Sequence, residues 1–71
     1  MMQVIADFKV DHKAELYEKL EAVVAAAHAD AFADRRRGVL VTRHDFRHFT
    51  VALSPKVPFG IIREEDHAGR N

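Results

Sequence analysis

The chain contains no cysteine and no tryptophan, few glycines and prolines, and no excess of charge of either sign. Without cysteine, it can form neither a disulfide nor a cysteine-based zinc site. Because 11 basic residues balance 11 acidic ones, no global field attracts the chain to nucleic acid or to a membrane surface. The sequence also lacks an apolar run of the ~20 residues that span a bilayer and the basic leader of a signal peptide. We therefore expect a cytoplasmic protein that does not associate with membranes.

A chain of 71 residues is long enough for one domain and too short to bury a second core. The ordering cost of roughly 1.5 kcal/mol per residue is close to what apolar burial returns in a chain this small. Since disulfides are excluded and 48% of the residues are hydrophobic, the sequence favours a homo-oligomer, most simply a dimer. We predict one domain over residues 1–66 and a disordered tail over residues 67–71.

The hydrophobic pattern predicts a strand followed by one long helix. Residues 3–10 alternate with period two, which is typical of a half-buried strand. Its buried face would carry Val4, Ala6, Phe8 and Val10. Asp11 offers an N-cap oxygen ahead of apolar residues that recur at three- and four-residue steps, up to about Arg36. Gly38 would supply the left-handed residue that ends this helix.

The second half of the predicted helix, residues 22–34, is rich in alanine nearly all the way round. At ~1.5 Å per residue, a helix of about 25 residues would reach nearly 40 Å, longer than the strands beside it. A helix that overhangs its own sheet with a surface of small residues suggests close packing against another helix. Because the chain has only one helix, that second helix would come from a second copy.

Beyond Gly38 the pattern returns to strand, with a chain reversal within residues 42–49. One register pairs Val41 with Phe49 and places like charges opposite each other, which is unfavourable. The other register pairs Val41 with Val51 through the longer loop His44 to His48, and we favour it. The predicted fold is α+β, with the order β-α-β-β and a short last strand, and with one long helix packed on a small antiparallel or mixed sheet.

The last strand would come from the segment FGIIREED, residues 59–66. Apolar groups crowd both of its faces, unlike a strand with one face in water. Pro58 confines its start to a sheet edge or a turn. We expect this segment to cover a sheet edge of its own chain or to add to the sheet of a partner.

The stretch TRHDFRHF, residues 42–49, is the clearest candidate site. Two histidines facing each other across the loop, with Asp45 as a third ligand, would suit a divalent metal. Two histidines four positions apart are diagnostic only on a helix, however, and here the flanking valines indicate strands. Catalysis by a histidine–aspartate pair would need a nucleophile and a pocket, and we assign neither metal nor catalytic residue.

Charge is unevenly distributed along the chain. Residues 11–34 hold two lysines against six acids (2 − 6 = −4), and residues 35–47 hold five arginines against one acid (5 − 1 = +4). The basic helix end and the basic hairpin tip could contact phosphates, with Phe46 available for stacking. Cations are also favoured at a helix C-terminus for electrostatic reasons alone, so we rank nucleic-acid binding second.

The last half of the chain, VLVTRHDFRHFTVALSPKVPFGIIREED, resembles a segment of short uncharacterised proteins of actinobacteria and their phages. The abundance of alanine, and of arginine over lysine, is typical of any high-GC genome. The resemblance implies a family without an assigned function, so no catalytic or binding residue is carried over from it.

These patterns lead us to expect a small oligomeric protein that acts as an interaction or accessory module. It would meet a second copy of the chain through the alanine-rich helix, the last strand or both, and another protein through a contact surface centred on the hairpin tip. The residues that we assign to this contact surface are Arg43, His44, Phe46, Arg47, His48, Arg36 and Arg37. A nucleic-acid-binding protein using the same surface is the second hypothesis, and a metal- or small-ligand-binding oligomer is the third. We predict no cofactor.

Overall fold

A computed structural model describes residues 2–67 of the chain. One helix, α1 (Lys13–Asp34), follows the first strand, β1 (Gln3–Lys9). Three further strands complete the fold, namely β2 (Gly38–Arg43), β3 (His48–Ser54) and β4 (Ile62–Asp66). The predicted α+β class, the element order and the single long helix on a mixed sheet are confirmed. Within residues 2–67, no helix is long and apolar enough to cross a membrane.

The four strands form one sheet in the order β1-β3-β2-β4. β3 is central and antiparallel to both β1 and β2, whereas the edge strand β4 is parallel to β2. Because β1 and β2 flank β3 and run in the same direction, α1 is the crossover that connects them over one sheet face. The helix packs against β1, β2 and β3 and leaves the opposite face of the sheet uncovered.

The core lies between α1 and the covered face of the sheet. Ala27 and Ala31 are the buried residues of the helix, and their small side chains allow its backbone to approach the strands closely. The remaining apolar positions of the same helix face are partly buried, namely Leu16, Leu20, Val23 and Val24. From the sheet come Phe8, Val10, Val39, Val41, Phe49, Val51 and Leu53. The predicted apolar face of the helix is thus confirmed.

Both predicted ends of the helix are wrong in detail. The N-cap position is His12 rather than Asp11, and no side chain caps the helix there. The helix ends at Asp34, where Arg35 adopts the left-handed conformation (φ 55°) and its N–H donates to the carbonyl of Ala31 at 2.8 Å. A hydrogen bond from the backbone N–H of Arg36 to the Asp34 carboxylate, 3.0 Å, fixes the turn that follows. Gly38 is therefore not the helix cap and instead begins β2.

A bulge in β1 changes the predicted buried face of that strand. The register shifts between Val4 and Ala6, so that Val4 pairs with Ala52 while Ala6 pairs with Val51. Adjacent residues of a strand point to opposite faces, and Val4 therefore lies on the uncovered face, where it is 53% exposed. Strict alternation along β1 would put Val4 on the same face as Phe8. The extra residue Ile5 interrupts this alternation and moves Val4 to the other face.

The hairpin between β2 and β3 has the longer of the two predicted registers. Val41 pairs with Val51, and the N–H of His44 donates to the carbonyl of His48 at 2.9 Å. β4 pairs with β2 of its own chain rather than with a partner, and all five of its residues are exposed. The N–H of His67 extends that pairing with a 2.8 Å bond to the carbonyl of Arg43. The rest of the predicted tail, residues 68–71, lies outside the described residues.

We predict that Gly38→Ala destabilises the fold. A Cβ at this position would collide with the carbonyl oxygen of Pro58 and lie 2.8 Å from that of Ile61. The free energy of unfolding, measured by chemical denaturation, should fall by roughly 1–3 kcal/mol, as in other overpacked sites. Gly60→Ala is the comparison, because Gly60 has open space around it and only its positive φ of 87° opposes a side chain. Equal losses in both variants would contradict the packing argument.

Candidate functional site

The uncovered face of the sheet carries a row of hydrogen-bonding side chains across its strands. Asp7 of β1 pairs with Thr50 of β3, and Thr50 pairs with Thr42 of β2. Glu65 of β4 pairs with Thr42 and completes this row. Along each strand these residues alternate with the residues that face the helix. Their side chains therefore point to the other, solvent-exposed face of the sheet.

A second row, nearer the hairpin turn, holds three histidines. His48 begins β3, and His44 faces it across the turn, with ring centroids 4.6 Å apart. His67 follows β4 beside β2, and its ring lies 6.5 Å from that of His44. Its Nε2 lies 3.2 Å from the carboxylate of Glu65. The hairpin register and the pairing of β4 with β2 thus gather histidines that are up to 23 positions apart in sequence.

Four side chains join the two rows in one hydrogen-bonded cluster, which we call the His–Asp cluster (Asp7, His44, His48 and Thr50). The Nε2 of His48 lies 2.6 Å from Oδ1 of Asp7. The hydroxyl of Thr50 donates to Oδ2 of Asp7 at 3.1 Å, and the Nε2 of His44 lies 2.6 Å from that hydroxyl oxygen. Both oxygens of one carboxylate are therefore engaged; His48 contacts it directly, and His44 is linked to it through the Thr50 hydroxyl.

The electrostatics of the cluster favour an ionised carboxylate. Hydrogen bonding from His48 lowers the pKa of Asp7, and the Thr50 hydroxyl and the charges of both histidines act in the same direction. Asp7 and His44 are exposed and His48 is half-buried. The cluster thus presents a negative oxygen pair and two imidazoles to solvent, which are donors suited to a divalent transition metal.

Asp45, which the sequence offers as a third ligand for a metal site at the hairpin, lies outside the His–Asp cluster. Asp45 does not join the histidines, because its Oδ1 accepts the backbone N–H of Arg47 at 2.7 Å within the turn, a bond that lowers the pKa of Asp45. Asp7 occupies that place from another strand. Its polar position within an apolar strand was the available signal, but its neighbours follow only from the pairing of β1 with β3.

The arginines predicted to form one contact surface are divided between two ends of the molecule. Arg43 lies at the hairpin end of β2, where its guanidinium forms two bonds to the Asp66 carboxylate, 3.0 and 2.6 Å. This pairing raises the pKa of Arg43. Arg36 and Arg37 precede the other end of β2, and five strand residues (38–42) at ~3.3 Å each separate Arg37 from Arg43. The predicted surface is thus not contiguous.

Acceptors within the chain also engage some of these cations. Arg37 donates to the Asp34 carboxylate at 2.9 Å and to the side-chain oxygen of Gln3 at 3.1 Å. At the hairpin tip, the guanidinium of Arg43 lies 5.2 Å from the ring centroid of Phe46, which is 73% exposed. The tip therefore offers a solvated aromatic ring beside cationic groups, and Arg47 lies next to it in the same turn.

A separate apolar surface joins the end of the helix to the segment before β4. The rings of Phe32 and Phe59 meet edge to face with centroids 5.9 Å apart, yet they are 60% and 38% exposed. Ile61 and Ile62 follow in sequence and are about half exposed, at 48% and 46%. We call these four residues the apolar corner.

We predict that Arg43→Ala loosens β4, since Arg43 and Asp66 join the hairpin end of β2 to the last strand. The midpoint of thermal unfolding should fall, and amide hydrogens of β4 should exchange faster. The matched control is Arg47→Ala, because no ion pair involves Arg47 among the described residues. High salt should narrow the difference between the two variants. Identical behaviour of both would show that the pair contributes nothing.

We predict a pH-dependent effect of Asp34→Asn. Hydrogen bonds from the N–H of Arg36 and the guanidinium of Arg37 lower the pKa of Asp34 from its usual 3.8. A carboxyl group with a lowered folded pKa stabilises the native state above its unfolded pKa, and this contribution disappears as pH falls through the folded value. The variant should therefore unfold at a lower temperature than the parent at neutral pH, and the gap should close in acid.

Thermal unfolding followed by circular dichroism over a pH series measures this gap. Asp30→Asn is the control, since it removes the same type of charge four residues earlier on the same helix. A gap between the parent and Asp34→Asn that stays constant into strong acid would contradict the assignment.

Comparisons of this chain with protein-family models, with curated proteins and with solved structures found no match in any of the three. The function therefore has to be argued from the chain's own side chains.

Proposed function

We propose that this chain is a small cytoplasmic interaction module that acts as a homodimer, with the apolar corner as part of the subunit interface. The observation that supports this most directly is the contact between Phe32 and Phe59, two aromatic rings that pack together while remaining largely in water. A small fold without disulfides fits a reducing compartment, since small secreted domains are typically rich in them.

The energetic argument starts from the cost of exposing large apolar side chains. Burying one phenylalanine or isoleucine is worth roughly 1.5–3 kcal/mol, and the apolar corner has two exposed rings in contact, with two half-exposed isoleucines close to Phe59 in sequence. Contiguous exposed apolar groups of this kind commonly mark interaction surfaces. The corner also joins the two elements, the alanine-rich helix and the last strand, from which the sequence predicts self-association.

The size of the molecule supports a partner of its own kind. The fold is a two-layer slab whose shortest extent is 15 Å, so its core is thin and its stability gains from any added layer. A standard interface takes ~800 Å² from each partner, about a sixth of the 5052 Å² that this chain exposes. One partner of equal size can supply that area.

The charges beside the apolar corner suit a two-fold interface. The guanidinium of Arg35 lies 4.5 Å from the ring centroid of Phe32. Glu64 projects from the same face of β4 as Ile62, because both pair with residues of β2 that face the helix. A cation thus flanks the patch on the helix side and an anion on the strand side. Rotation about a two-fold axis can bring the helix side of one copy to the strand side of the other.

Association through strand addition at β4 receives less support. Four of the five residues of this edge strand are charged, namely Arg63, Glu64, Glu65 and Asp66. Charged side chains on an exposed edge are a common means of preventing strand pairing between molecules. We therefore assign dimerisation to the side chains of the apolar corner rather than to the backbone of β4.

The hairpin tip is the surface that we assign to a protein partner outside the dimer. Phe46 is the most exposed large hydrophobic residue of the described chain, at 73%, and Arg47 lies beside it. Aromatic residues and arginine are enriched at protein interfaces. The tip is remote from the apolar corner along β2, so a dimer would leave it free.

Nucleic-acid binding is less well supported than protein binding by the arrangement of charges. Two of the arginines proposed for phosphate contact, Arg37 and Arg43, already donate to carboxylates of the same chain. The acidic end of β4, with Glu65 and Asp66, lies beside the hairpin. Phosphate binding here would break intramolecular pairs and bring the duplex close to these acids.

The test of the dimer is the double variant Phe32→Ser/Phe59→Ser. Losing two apolar anchors at the centre of an interface should raise the dimer dissociation constant at least about a hundredfold. Sedimentation equilibrium or light scattering over a concentration series would measure the change. Phe46→Ser is the matched control, because it removes an equally large ring, 73% exposed, at the other end of the molecule.

Circular dichroism of each variant confirms that it remains folded. A monomeric parent over the whole concentration series would refute the homodimer. A dimer that survives in the double variant would show that a different surface holds the two copies together.

A further inference from the structure

The His–Asp cluster is not accounted for by the interaction module. Its four side chains come from β1, from β3 and from the turn between β2 and β3. Their polar atoms converge on the uncovered face of the sheet. A solvent-exposed sheet face needs only polar side chains, and threonine or serine in place of Asp7, His44 and His48 would meet that need. Two imidazoles and a carboxylate are instead the donor types that proteins use for divalent transition metals.

We propose that Asp7, His44 and His48 form a binding site for a divalent transition-metal ion of the Zn²⁺ type. One donor atom from each of the three residues can be chosen so that all three lie within 4.8 Å of one another. Tetrahedral zinc, with bonds of about 2.0–2.2 Å, separates neighbouring donors by about 3.4 Å. An ion held between His48 and Asp7 would replace the 2.6 Å hydrogen bond between Nε2 of His48 and Oδ1 of Asp7, and side-chain rotation would bring the donors to this separation.

Backbone hydrogen bonds to β3 fix the chain around the cluster. Asp7 pairs with Thr50 in the β1–β3 ladder, and His48 pairs with Lys9 in the same ladder. His44 is bound to His48 through the 2.9 Å backbone bond that closes the hairpin. Metal ligands that are carried by paired strands keep their spacing without metal, which lowers the ordering cost of binding.

The environment of the ligands provides the supporting contacts that metal sites commonly have. The Thr50 hydroxyl contacts both Asp7 and His44 and orients them toward each other. Such a contact holds a ligand in a productive geometry when the ion binds the other ring nitrogen, which is Nδ1 for His44. Three protein donors leave a fourth coordination position of a tetrahedral ion open to solvent or to a ligand, as in zinc sites that bind small molecules.

The donor set also selects among metals. Mg²⁺ and Ca²⁺ prefer oxygen ligands throughout and are poorly served by two imidazoles. Zn²⁺ and Co²⁺ accept mixed nitrogen and oxygen ligands. We therefore expect Zn²⁺ and Co²⁺ to bind with one ion per chain and Mg²⁺ to give no saturable binding.

Calorimetric titration of the chelator-treated full chain with Zn²⁺ tests the site. His44→Ala, His48→Ala and Asp7→Asn should each weaken Zn²⁺ binding by more than about tenfold, which is the cost of losing only an outer-shell contact. His28→Ala is the remote control, because His28 lies on α1, on the other side of the sheet. His67→Ala is the near control, because His67 does not belong to the group whose donor atoms lie within 4.8 Å of one another, and it should change the affinity less than threefold, below even the effect of losing an outer contact.

A second measurement does not depend on the folding of any variant. In the unmutated chain, the side-chain nitrogen signals of His44 and His48 should shift on addition of Zn²⁺ in a ¹H–¹⁵N spectrum, while those of His12 and His28 stay in place. Addition of Zn²⁺ should also raise the midpoint of thermal unfolding, and a chelator should reverse that rise.

Three results would overturn the proposal. The first is the absence of saturable Zn²⁺ binding by the unmutated chain. The second is unchanged affinity in a His44→Ala/His48→Ala double variant whose circular dichroism spectrum remains native. The third is a loss in His67→Ala as large as that in His48→Ala, which would show that the three-ligand assignment is wrong.

Discussion

The pairing of Val41 with Val51 is the constraint on which the rest of this fold depends. It places the valines of β2 and β3 under the helix and, by alternation, Thr42 and Thr50 on the uncovered face. A slip of one residue would exchange the two faces and put hydroxyl groups into the core. The same register brings His44 opposite His48 and lets β4 continue alongside to His67. Stability and the candidate site therefore follow from one ladder.

The sequence predicts the class of fold because its strongest patterns are local. Period-two alternation identifies the strands, and the three- and four-residue steps identify the helix, including the buried face around Ala27 and Ala31. Like-charge repulsion was enough to favour the correct hairpin register. The helix ends were harder, because Arg35 adopts a left-handed conformation that glycine usually provides. Hydrogen bonds made by Asp34 and a stacked Phe32 ring support that conformation, and neither follows from local propensity.

The candidate site was only half predictable for a related reason. His44 and His48 are close in sequence, so their proximity follows from the turn alone. Asp7 reaches them from a strand 37 residues away from His44, and the bulge at Ile5 decides which residues of β1 share its face. Sequence spacing instead favoured Asp45, which is occupied by the N–H of Arg47. Short-range spacing identifies neighbours within a turn, whereas a ligand contributed by another strand requires the sheet order.

Both proposed sites depend on the parts of the sheet that the single helix leaves uncovered. The helix covers three strands and leaves β4 beyond its reach, so Ile62 stays exposed at the covered face and offers an apolar surface to a second copy. Within residues 2–67, no layer covers the other face of the sheet, so Asp7 and His44 are exposed and His48 is half-buried. The apolar corner lies at the start of β4, and the His–Asp cluster lies near the hairpin, at the other end of β2. Because the two sites lie on different faces and at different ends, dimer formation leaves the cluster open, and metal affinity should not depend on the dimer.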